Sequence, residues 1–188
     1  MRKLLLLLLI ALTSNLVEAQ FIKEKSITAS IGYGITVPEH SYDDVSSGGF
    51  FIQGEYILKI RSWIDLKPYA GFVITDSDGK DLNGNPSSEF AQTTAFLLGG
   101  KVRFKAPIPY VAPFLEFGFG ASIGKFETFT AFSDINRTGI AYHIPYSIGL
   151  ELGKNHGVDL GFSYFNQPGV EQVTGAINVG INFPLDSK

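Results

Sequence analysis

Pro109-Tyr-Val-Ala-Pro-Phe-Leu-Glu-Phe-Gly-Phe-Gly-Ala-Ser122 sets a single carboxylate, Glu116, in one of the most aromatic runs of the chain. A buried, unpaired carboxylate costs several kcal/mol, so either the run is not buried throughout or Glu116 faces away from its neighbours. Reading the stretch with a period of two resolves the question. The odd set is Val111, Pro113, Leu115, Phe117, Phe119, Ala121 and Ile123; the even set is Tyr110, Ala112, Phe114, Glu116, Gly118, Gly120 and Ser122. Glu116 points with the glycines, away from Phe117 and Phe119, which is strand behaviour. The density of Gly and Pro argues against a helix here.

The same sorting recurs along the chain. After Gln92 the even positions Thr94, Phe96, Leu98, Gly100, Val102 and Phe104 are mostly apolar, while Lys101, Arg103 and Lys105 fall on the odd face with Thr93, Leu97 and Gly99. Ile27, Ile31, Tyr33 and Ile35 alternate with Thr28, Ser30, Gly32 and Gly34. Phe50, Ile52, Tyr56 and Leu58 alternate with Gln53, Glu55 and Lys59, and Ile64, Leu66 and Phe72 with Asp65, Lys67 and Tyr69. Tyr142, Ile144, Tyr146, Ile148 and Leu150 oppose His143, Ser147 and Glu151; Leu160, Phe162 and Tyr164 oppose Asp159 and Ser163; Ile177, Val179, Ile181 and Phe183 oppose Asn178 and Asn182. This predicts eight strands, each with one apolar and one polar face.

The connections alternate in length. Residues 61–63, 107–109 and 155–157 read as tight turns, whereas 40–49, 76–90, 128–140 and the shorter 166–172 are longer, polar and glycine-rich. Long and short connections therefore gather at opposite ends of an antiparallel up-and-down sheet. Outer-membrane barrels have this asymmetry, with an even strand number and strands of about 9–11 residues crossing the bilayer.

Composition agrees. Gly 21, Phe 16 and Tyr 8 against Met 1 describe a chain rich in strand formers and turn residues, and a net charge of −3 gives no basic footprint for nucleic acid. Met1-Arg2-Lys3 followed by the apolar run Leu4 to Leu12 and by Val17-Glu18-Ala19 reads as a secretory signal peptide. The division expected is a signal peptide over 1–19 and one barrel domain over 20–188. There is no cysteine, so neither a lipidated cysteine nor a disulfide is expected.

The signal peptide, the eight alternating strands and the hairpin arms KPYAGF (67–72) and PYVAPFLEFGFG (109–120) resemble the outer-membrane protein β-barrel domain family, the small OmpA/OmpX-like barrels of Gram-negative envelopes. The resemblance implies an all-β, eight-stranded antiparallel transmembrane barrel in the outer membrane. It also implies outer-membrane lipid and the outer-membrane assembly machinery as partners, a monomer, and no cofactor.

With the apolar face outward, ten charges point into the lumen: Glu55, Lys59, Asp65, Lys67, Lys101, Arg103, Lys105, Glu116, Glu151 and Asp159, five basic and five acidic. Glu116 lies diagonally from Lys101, and Lys59 directly across from Asp65. An eight-stranded barrel leaves an interior that side chains just fill, so a charge-neutral plug is expected, with a narrow solute pore as the alternative. A soluble lipocalin-like barrel would carry the same alternation inverted. Against it stand the many glycines on the charged face and the aromatics Tyr33, Tyr56, Trp63, Tyr142, Tyr146 and Tyr164 on the apolar one.

A lipid-modifying enzyme would need a nucleophile with a base in reach. His40, Ser41, Asp43 and Asp44, or His143 with Ser147, are the material, and nothing fixes a triad among them. No catalytic residue is expected. The segment from Asp76 to Glu89 has its glycine misplaced for a calcium loop, so no metal site is expected there. The reading is an envelope component acting through its outer loops, whose ligand the sequence does not name.

Overall fold

The computed structural model describes residues 22–185; the signal-peptide segment expected over 1–19 lies outside them. Eight antiparallel strands close into one barrel in sequence order. They are β1 (Glu24–Pro38), β2 (Ser47–Arg61), β3 (Ile64–Asp76), β4 (Phe90–Lys105), β5 (Tyr110–Phe129), β6 (Asp134–Gly153), β7 (Val158–Gln167) and β8 (Gln172–Pro184). Closure comes from β1 pairing with β8, Ile27 opposite Phe183 and Val37 opposite Val173, which leaves the sheet no free edge around its waist. Among the described residues no helix is long and apolar enough to cross a membrane.

Alternation gives every strand two solvents. On β5, Phe117 and Phe119 are 50% and 65% exposed while Glu116, next to Phe117, is 4% exposed. Large apolar side chains stand outward on all eight strands, among them Ile31, Ile52, Ile74, Leu98, Phe117, Ile148, Phe162 and Val179, and Tyr33, Tyr56, Trp63, Tyr142, Tyr146 and Tyr164 share that face. A water-soluble barrel would hide these residues and expose its charges. Here the exposed area is hydrocarbon and the charges are enclosed, the distribution a bilayer requires.

Two of the strand prolines interrupt the ladder. Between β2 and β3 the pairing breaks off opposite Pro68, and between β5 and β6 it breaks off opposite Pro145, because neither has an N–H to donate. Pro113 stays within continuous pairing, facing out toward Leu150.

The asymmetry of the two ends is present but smaller than expected. The segment 128–140, read as a loop, is mostly strand: β5 and β6 each run 20 residues and pair as far as Phe129 opposite Asp134, so the connection shrinks to 130–133. On β6, residues 134–139 are exposed or half-exposed on both faces, so no apolar alternation announces the strand there, although β5 beside it stays paired with β4 as far as Phe129. Because β7 ends at Gln167, residues 134–143 of β6 pair with β5 alone. The segment 166–172 likewise holds the end of β7 and a single 3-10 turn, Pro168–Val170.

Candidate functional site

The interior is stacked in three layers. At the short-turn end lies an ion cluster in which carboxylates and cations alternate. Glu116 receives Lys67 at 2.8 Å, Lys101 at 2.8 Å and Arg103 at 2.6 Å. Glu55 holds the same two lysines at 2.6 and 2.5 Å. Arg103 forks through Nη1 to Glu151 at 2.7 Å and Asp159 at 2.8 Å, and its guanidinium lies 3.6 Å from the centre of the Phe114 ring. Lys105 joins Glu151 at 3.1 Å to Asp65 at 2.7 Å. Asp65 is held by charge, since neither of its oxygens has a hydrogen-bonding donor in line. Apart from Lys105, whose side chain is 10% exposed, these groups are buried to within a few per cent.

Nine of the ten charges expected in the lumen meet in this cluster. Lys59 does not. Its Cα is opposite that of Asp65, but the ladder shifts register between Lys59 and Arg61 beside the turn, and its side chain, a third exposed, runs to Glu24 at 2.7 Å. Lys105 takes the place beside Asp65. A long cationic side chain this close to a barrel mouth keeps its ammonium in water rather than desolvate it. The interior set is therefore five carboxylates and four cations, not five of each.

Above the ions the wall turns apolar, a layer that the expectation of a polar, charge-plugged interior does not include. Phe51, Val73, Leu97, Phe126, Phe165 and Ala176 are all buried completely or nearly so and form one cluster with Tyr69. Tyr69 Oη and His143 Nε2 are hydrogen-bonded, and His143 Nδ1 is 2.7 Å from Ser122 Oγ, which accepts from Gln167 Nε2 at 2.8 Å. Gly99 and Gly120 make this pair possible: a Cβ at either would stand 2.6 or 2.5 Å from Tyr69 Oη. His143 does not meet Ser147, which bonds to Ser163 at 3.2 Å. The third layer is of hydroxyls and amides, with Thr36 bonded to Thr75 at 2.7 Å, and Gln172 to Gln167 at 3.1 Å and to Thr93.

The ion layer itself leaves little room. In the ion layer a cavity of about 10 Å3, lined by residues including Ser30, Gln53, Glu116 and Asn178, is room for one water. Toward the long-loop end a larger space of about 280 Å3 is bounded by Thr75, Gln92, Thr93, Lys125 and Glu127.

At the long-loop end one carboxylate gathers three loop segments. Glu89 Oε2 accepts the backbone N–H groups of Tyr42 and Asp43, both at 2.9 Å, and Oε1 accepts that of Ala131 at 2.7 Å. Ser87 Oγ donates to Asp43 at 2.6 Å, and Ser133 Oγ to Glu171. The clamp brings the Tyr42 and Phe132 rings to 4.8 Å, both well exposed. In the loop 77–88, Asp81 is occupied by its own turn, accepting Asn83 N at 2.9 Å and Asn85 N at 2.7 Å, and no metal-binding group occurs among the described residues.

Burial alone would raise the Glu89 pKa, but the N–H bonds from Asp43, Ala131 and Tyr42 outweigh it and hold the carboxyl below the usual glutamate value. A depressed folded-state pKa stabilises fully above about pH 4.3, the unperturbed glutamate value, and the contribution is lost as pH falls through the lower folded value. Glu89→Ala is therefore expected to speed protease cleavage within 39–46 and 130–133 by about tenfold at neutral pH while leaving barrel unfolding unchanged. Acidification should bring the parent toward the variant. Equal cleavage of both at pH 7 would remove Glu89 as the clamp.

No family model matches the chain, and no curated protein matches it. Solved structures do. Neisserial surface protein A is matched with a TM-score of 0.57 at 12% identity, over 84% of this chain and 95% of that one. Ail of Yersinia pestis is matched with a TM-score of 0.50 at 18% identity, over 86% and 100%. The chain has the fold of the small eight-stranded outer-membrane barrels. Within that fold the closed eight-stranded barrel is what the chains share, while at such low identity the ion cluster and the Glu89 clamp belong to the description of this chain alone.

Proposed function

We propose that the chain is an outer-membrane barrel of a Gram-negative envelope, exported by a cleaved signal peptide over 1–19, monomeric, closed to solutes, and acting as a rigid support for its outer loops. The observation that carries this is the inverted distribution of polarity, with hydrocarbon side chains outward on every strand and the ions enclosed. Its partners on this reading are outer-membrane lipid, the machinery that inserts such barrels and whatever the outer loops meet. Nucleic acid is not among them.

Catalysis forms no part of the reading. His143 is buried and both its ring nitrogens are engaged by Tyr69 and Ser122, which supports a structural role for it. The names of the two structures point the same way: one is a surface protein, the other an attachment invasion locus protein.

The test is fractionation with gel mobility. The chain is expected in the outer-membrane fraction, running at a different position before and after heating; a periplasmic location with no heat shift would overturn the reading. The pore alternative is separated by planar-bilayer conductance, for which no unitary steps are expected.

Lipid contact at the waist gives a second expected result. Phe117→Arg places a guanidinium on the hydrocarbon face and should lower stability in vesicles by about 2–4 kcal/mol. Unchanged urea unfolding would mean that this face of β5 is not in lipid.

A further inference from the structure

The two rims of the barrel carry opposite charge. Among the described residues the long-loop rim is acidic, Asp43, Asp44, Asp78, Asp81 and Glu171 with others outnumbering Lys80, Lys125 and Arg137. Among the described residues the short-turn rim is basic: Lys23, Lys25, Lys59, Arg61 and Lys154 against Glu24, the other carboxylates at that end lying inside. The cations are not spread evenly. Four of the five lie on β1, just before it, or at the β2–β3 turn, bound into one surface by the backbone. Lys23 N donates to Lys59 O at 2.8 Å, Lys25 is registered beside Leu58, and Leu185 N donates to Lys25 O at 2.9 Å.

This basic sector is continuous with the lipid-facing wall. Lys25 and Lys23 continue the outward set of β1 below Ile27, which is 41% exposed, a position where a lysine stem can cover apolar surface. Arg61 stands two residues from Trp63, itself 50% exposed. From Trp63 an aromatic path climbs the wall, to Phe104 with ring centres 5.9 Å apart and from Phe104 to Phe117 at 5.5 Å. An indole at the end of an apolar wall, flanked by cations with few anions among them, suits a phosphodiester headgroup whose acyl chains lie along the same wall.

We propose that the β1–β2 sector of the short-turn rim binds anionic phospholipid headgroups, Lys23, Lys25 and Arg61 meeting the phosphate and Trp63 the acyl boundary. The proposal rests on the membrane-spanning reading above. A soluble partner of the same charge would need no aromatic path leading away from the cations into the exposed apolar wall.

The test uses the full chain refolded into phosphatidylcholine vesicles containing phosphatidylglycerol, with spin-labelled versions of both lipids reporting which is held at the protein surface. The parent is expected to prefer phosphatidylglycerol by about fivefold at low salt, what one well-placed basic side chain supplies. That preference should fall toward unity at high salt, a readout that needs no substitution. The combined variant Lys23→Gln, Lys25→Gln, Arg61→Gln should lose the preference, whereas Asp43→Asn with Asp44→Asn should keep it. A parent without preference, or a triple variant that retains it, overturns the proposal. So does a variant that keeps its lipid preference but stops sedimenting with peptidoglycan sacculi, since the rim would then face the cell wall. Insertion without preference sinks this proposal alone; failure to insert, seen as no heat shift and no protease protection, sinks the membrane reading as well.

Discussion

Glu116→Ala is expected to lower barrel stability by about 3–5 kcal/mol, the usual result of removing one partner from a buried ion pair. Its carboxylate is the shared acceptor of Lys67, Lys101 and Arg103. Without it the two lysines have Glu55 between them, and Arg103 keeps only Glu151 and Asp159. Water cannot substitute, because the cavity beside the cluster admits about one molecule. The double replacement Lys101→Met with Glu116→Leu should recover part of the loss, since it removes a cation together with the anion that balanced it. Recovery stays incomplete while Lys67 and Arg103 have still lost an acceptor. Urea unfolding in lipid vesicles of the two single variants and the double reads the coupling directly, and strict additivity would show that Glu116 and Lys101 do not interact.

The second large effect belongs to Arg103. It touches three carboxylates and covers the Phe114 ring, so Arg103→Met leaves the five interior carboxylates facing three lysines. A loss of about 3–5 kcal/mol is again expected. Arg103→Lys should lie between parent and Met. A lysine restores the charge, yet an ammonium cannot spread planar donors toward Glu116 on one side and Glu151 and Asp159 on the other while lying flat on a ring. If Met and Lys variants unfold alike, geometry rather than charge is what Arg103 contributes; if both unfold like the parent, the cluster is solvated.

The strands were legible because a barrel wall between two solvents writes its period into nearly every residue. Glu116 between Leu115 and Phe117 could be assigned a face without any knowledge of its partners. Parity says less about height along the axis. Tyr69 and Leu97 were placed on the inner face, but Phe51 and Phe165 follow outward aromatics, Phe50 and Tyr164, and an apolar inner residue beside an apolar outer one leaves no alternation to read. The apolar layer across the interior was therefore missed.

Register near turns was only half legible. The pairing of Lys59 with Asp65 was right for the backbone, and a shift of the ladder sent the side chain elsewhere. The loop clamp left no signal at all. Glu89 belongs to a polar segment, and its three acceptor contacts bring together backbone groups 42 to 47 residues away in sequence, which no local pattern encodes.

Trp63 is the sole tryptophan, and it stands on the outer wall beside the β2–β3 turn, so fluorescence quenching by brominated lipids tests the inverted barrel most directly. In vesicles the parent's emission should be quenched best by bromines near the headgroups. A Trp63→Phe, Leu98→Trp variant, which moves the indole to the middle of β4, should be quenched best by bromines deep in the acyl chains. Quenching at neither site by any depth of bromine would contradict an exterior immersed in lipid, and with it the account of why Glu116 points inward.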